Sequence, residues 1–89
     1  MESEVKTLIR EKIRQYVPKA RDRAEILSTD RWDDLGAKAL CVLEVIMGCE
    51  DAYSGVVYVT DEEAEALRTV GDLEQLVIRK IRNPQEQPA

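Results

Sequence analysis

Apolar residues recur at Val5, Leu8, Ile9, Ile13, Tyr16 and Val17, while Glu2, Lys6, Arg10, Lys12 and Arg14 fall outside that set. This is the i, i+3, i+4, i+7 spacing of one helical face. It predicts a helix over 2–17, with Ser3 as a possible start and Pro18 as its stop. Residues 18–36 hold no sustained period. Only Ile26, Leu27, Trp32 and Leu35 could pin them, so they read as a long loop, a length that in a small domain is often functional.

A second helix is predicted over 38–53. Val42, Val45, Ile46, Cys49 and Tyr53 make one stripe, assigned to the core. Leu40, Leu43 and Met47 fall on a different face, among Glu44, Glu50 and Asp51. A helix apolar on two sides is either deeply buried or offers its second face to a partner. In so small a domain the partner reading gains ground.

Residues 54–60, SGVVYVT, are β-branched and locally strand-like, yet no second strand is available to pair with them. They read as an extended connector that tucks Val57 or Val59 against the core. A short helix over 61–68 follows, capped by Thr60 or Asp61. A last helix over 70–82 opens with the capping-box pattern of Thr69 and Asp72. Its apolar face is Leu73, Leu76, Val77 and Ile81, and Arg79, Lys80 and Arg82 suit its C-terminal dipole. The expected fold is all-α, a small four-helix bundle with a long first loop and a short third helix. Residues 1–82 form the domain and 83–89 a disordered tail. Its core is expected to hold Val5, Ile9, Ile13, Leu35, Val42, Val45, Ile46, Cys49, Leu73, Leu76 and Val77.

Composition narrows the function. Eighty-nine residues, 44% hydrophobic and 35% charged, suit one soluble domain with a single modest core. With one Trp, three Tyr and no Phe, that core is largely aliphatic. The longest uncharged runs are about ten residues, short of the roughly 20 that a membrane span needs. No leader pattern opens the chain, so a cytoplasmic location is expected. Cys41 and Cys49 lie about 12 Å apart along one helix, too far for a disulfide, and without histidine no metal site is expected. No catalytic residues are expected either, because no activated nucleophile or Gly-rich phosphate loop is present.

The net charge of −5 is uneven: Glu50 to Glu74 holds eight acids against one base, Arg68. That surface argues against nucleic acid and favours protein partners with basic and apolar surfaces.

Four stretches now combine: DLGA (Asp34–Ala37), LCVLEVIMGCEDAY (Leu40–Tyr53), DEEAEALR (Asp61–Arg68) and TVGDL (Thr69–Leu73). In order and spacing they resemble the acyl carrier proteins, over about residues 3–82. In that family the triplet after DLGA reads Asp-Ser-Leu, and the serine oxygen takes a phosphopantetheine arm that holds the acyl chain as a thioester. The matching triplet here is Lys38-Ala39-Leu40. A methyl group cannot form a phosphodiester, so no cofactor is expected although the resemblance implies one. Lys38 also reverses the sign of an aspartate that the resemblance places beside the metal and coenzyme A during transfer. Ser54 and Thr60 lie about 20 Å from Ala39 by helical rise, too far to substitute.

By match to the motif, Leu40, Leu43, Glu44, Met47, Glu50 and Asp51 occupy the surface that partner enzymes grip, and Lys38, which departs from the motif, is expected to join them by pairing with an acid on the partner. Cys41 and Ala52 stand where acids are expected, and the loop from Tyr53 to Asp61 runs about two residues longer than the common pattern. The resemblance therefore implies a monomeric, carrier-like interaction module of a biosynthetic complex (fatty acid, polyketide or related), with a degenerate phosphopantetheine site. Two alternatives stay open: a genuine carrier whose serine has been replaced, and an unrelated small helical adaptor.

Overall fold

The computed structural model describes residues 1–83; of the expected tail, residues 84–89 lie outside it. The chain runs α1 (Glu2–Tyr16), a 3-10 turn (Pro18–Ala20), α2 (Ala39–Ala52), α3 (Asp61–Glu65) and α4 (Val70–Arg82). Among the described residues no strand forms, only an isolated bridge between Arg31 and Thr69. α1 packs on α2 and on α4. Val5, Ile9 and Ile13 of α1, Val45, Ile46 and Cys49 of α2, and Leu73 and Val77 of α4 are buried together.

Local chemistry sets the helix ends. Met1, not Ser3, is the N-cap of α1, and Glu2 and Glu4 place negative charge at the positive end of its dipole. Val17 turns extended before Pro18 and stops it. Thr60 with Glu63, and Thr69 with Asp72, form complete capping boxes that start α3 and α4. The Arg68 backbone N–H, then that of Thr69, holds the Asp72 carboxyl below its ordinary range. Burial pushes Glu63 upward, but the Thr60 N–H and the Lys80 ammonium outweigh it and leave the carboxyl low. The Lys80–Glu63 contact, 2.9 Å long, ties α3 to α4.

Four further sequence expectations change. α3 stops at Glu65 rather than 68, because the Arg68 N–H is taken by Asp72 and the Arg68 carbonyl accepts from Trp32 N at 3.2 Å. Leu27 is exposed, since its N–H is held in a turn by the Asp30 carboxylate, and the loop is anchored by Ile26, Trp32 and Leu35. Val42 is half-buried rather than core, at the edge where α2 faces α3. Asn83, assigned to the tail, is the C-cap of α4 and donates its N–H to Arg79 O at 2.9 Å.

The long first loop is fastened to the start of α4. Val70 N donates to Asp30 O at 2.9 Å and Gly71 N to Ser28 O at 2.8 Å. Two donors that a helix start leaves without intrahelical partners are thereby satisfied by the loop. A Cβ on Gly71 would lie 2.9 Å from that Ser28 carbonyl oxygen. Alanine gains about 1 kcal/mol of helix propensity over glycine, whereas overpacking against backbone costs about 1–3 kcal/mol. Gly71→Ala should therefore lower stability by about 1 kcal/mol in urea unfolding. A stabilised variant would mean that the loop yields without cost.

Candidate functional site

α2 begins without help from its own N-terminus. Lys38 is the N-cap, in extended backbone and exposed, and its side chain makes no capping hydrogen bond. A cation there opposes the helix dipole by about 0.3–1 kcal/mol. The first turn carries no acid. What orders the helix is its buried side: Val45, Ile46, Gly48 and Cys49 pack inward, with the Lys12 stem lying over Gly48. Burial pushes the Cys49 thiol up to about 12, which makes it a packing residue and not a nucleophile.

The opposite side is open. Leu40, Leu43 and Met47 are 69%, 43% and 59% exposed, in one row along the helix. Glu44 is half-buried and Asp51 exposed beside them. Glu50 is half-buried, and its carboxylate accepts the Val59 N–H at 2.9 Å. That bond fixes the connector in which Val57 and Val59 are both buried. Of the expected partner surface, Lys38, Leu40, Leu43, Met47 and Asp51 are thus exposed, while Glu50 also has an internal task.

Ala39 is the first residue of α2, exposed, at the edge of a groove of about 480 Å³ between the first loop, α2 and α3. Trp32, Ala37, Val42, Leu43, Ala64 and Leu67 give it an apolar lining, and Asp33, Asp61 and Glu65 add carboxylates. The lining includes no serine, threonine or cysteine. Among the described residues no group of three or more His, Cys, Asp or Glu could hold a metal ion. Nor is any described helix long and apolar enough to cross a membrane.

The chain is 39% identical over 62 residues to an acyl carrier protein of Exiguobacterium sp. (strain AT1b), an alignment covering 68% of this chain and 76% of that protein. This chain belongs to the acyl carrier protein family. It is also 49% identical over 41 residues to an acyl carrier protein of Syntrophobacter fumaroxidans, and 46% identical over 41 residues to one of Exiguobacterium sibiricum. Those alignments cover 46% of this chain and 48% and 49% of the respective relatives. No protein-family model matches the chain, and no solved structure does.

For an acyl carrier protein the residues at the start of α2 do not fit a covalently attached arm. Position 39 offers a methyl group, and no hydroxyl or thiol lines the groove beside it. Sequence reasoning found the α2 row because its period is local. It missed the groove, whose walls come from residues 32–43 and 61–67 and meet only in the fold.

Proposed function

We propose that this acyl-carrier-like domain is a protein-interaction module of a biosynthetic complex and that it carries no phosphopantetheine. Its partner grips the outer side of α2. The observation that carries this reading is the exposed row of Leu40, Leu43 and Met47, beside a position that cannot hold an arm. Apolar side chains at the centre of a docking face supply most of the affinity, and charges around it supply orientation. The partner is a protein, such as a biosynthetic enzyme, with basic and apolar surface. Nucleic acid is disfavoured by the acidic run from Glu50 to Glu74. The domain acts as a cytoplasmic monomer, without catalysis and without a metal.

Lys38 does not help the helix, so drift at a position freed from its chemistry competes with a role in binding. In the binding role it pairs with an acid of the partner. With the partner isolated by affinity capture, Met47→Glu should abolish binding, while Lys38→Glu should weaken it and reduce its salt dependence. If both variants bind as the parent does, the interface lies on another face.

A further inference from the structure

The end of α1 and the turn after it carry the opposite charge from the rest of the chain. Residues 10–23 hold six bases and two acids, against a net charge of −5 for the whole. The 3-10 turn at Pro18–Ala20 reverses the backbone and returns residues 21–23 to the last turn of α1. There Arg14 Nη1 donates to Arg21 O at 3.1 Å and to Arg23 O at 2.8 Å, and Arg21 Nε donates to Arg14 O at 3.4 Å. Two guanidiniums are therefore held at one corner, each by neutral carbonyls. Among the described residues neither meets a carboxylate: the arginines in ion pairs are Arg10, Arg23, Arg79 and Arg82. Asp22 and Glu25, their acidic neighbours in sequence, are exposed and pair with neither. Lys19, in the turn between the two arginines, is exposed and adds a third positive charge.

We propose that Arg14 and Arg21 bind a phosphorylated serine or threonine carried by a segment of another protein. A guanidinium presents its N–H donors as a rigid fork that matches phosphate oxygens two at a time. The carbonyl bonds fix each fork and leave donors over, since Arg14 commits only Nη1 and Arg21 only Nε. Side chains ordered in advance lose little freedom on binding. One carboxylate would neutralise one guanidinium, whereas a phosphomonoester of about −1.5 to −2 charge answers both. Neither the groove beside Ala39 nor the one between α3 and α4 is lined by these residues. On so open a corner a small phosphate ester finds little besides charge, while a protein segment adds contacts of its own. The site shares no residue with the outer row of α2 and does not depend on the α2 reading.

The test is an NMR titration of the whole isotope-labelled chain, read at the arginine Nε–H signals at low salt. The ligands are acetyl-Ala-Gly-phosphoserine-Gly-Ala-amide, the same peptide with aspartate, and glycerol phosphate. The phosphopeptide should move the Arg14 and Arg21 signals saturably, with an affinity about tenfold above that of the aspartate peptide. Glycerol phosphate should bind more weakly than the phosphopeptide, and added salt should weaken all three. Arg21→Gln should remove the saturable shift at Arg14 and leave the urea midpoint in place, because the fold holds Arg21 by one long bond. Arg21→Lys, which keeps the charge and loses the fork, should recover only part of the affinity. Equal binding of the two peptides, glycerol phosphate bound as tightly as the phosphopeptide, or a shift that survives Arg21→Gln overturns the proposal. So does a response to phosphatidylglycerol vesicles with none to the phosphopeptide.

Discussion

Arg10→Ala should destabilise the fold by about 3 kcal/mol, the low end of the 3–5 kcal/mol that breaking a buried ion pair costs. Glu74 is 1% exposed on α4, and the Arg10 guanidinium, 28% exposed, meets it at 2.5 Å. The same guanidinium donates to Ile26 O at 2.7 Å and to Ser28 Oγ at 3.3 Å, and Ser28 Oγ donates to Glu74 at 2.6 Å. One side chain therefore fastens α1, the first loop and α4 together. Without it Glu74 keeps only the serine, and a buried carboxylate with one partner is costly. Water entering along the exposed part of Arg10 is what limits the loss. Replacing both residues, Arg10→Met with Glu74→Leu, should recover most of it, because no buried charge then remains. The check is the urea midpoint at unchanged slope. A loss below about 1 kcal/mol for Arg10→Ala would mean that the pair is solvated and does not hold the loop.

This network was not legible in the sequence, although part of its signal was. Glu74 sits one turn from Val70 and Val77, on the buried stripe of α4. A carboxylate on an apolar stripe needs a cationic partner, but nothing local points to Arg10, sixty-four residues away. Lys80, buried against Glu63, was missed for the same reason. What periodicity carries came through: four helices near their expected bounds, and two differently used sides of α2. The end of α3 did not, because hydrogen bonds from the loop and from the cap of α4 decide it. Of the site, the exposed row could be read in sequence; the acid-lined groove could not.

The second large effect tests which side of α2 faces inward. Ile46, 3% exposed, is packed into the common core, so Ile46→Ala should cost about 2–5 kcal/mol through lost burial and the cavity left behind. Leu40, on the open side, should change by no more than about 0.5 kcal/mol when replaced by alanine. The contrast is more decisive than either number. If Ile46→Ala costs less than about 0.5 kcal/mol, the helix is rotated from the orientation described, and the row assigned to a partner would be core.

Intact-mass measurement after incubation with coenzyme A and a broad-specificity phosphopantetheinyl transferase decides whether this carrier scaffold has lost the carrier's chemistry. Lys38→Asp combined with Ala39→Ser, treated in parallel, should gain one phosphopantetheine, because the fold around the start of α2 is in place. The parent chain should keep its mass unchanged. A parent that gains the same increment would place an attachment residue elsewhere and contradict the account.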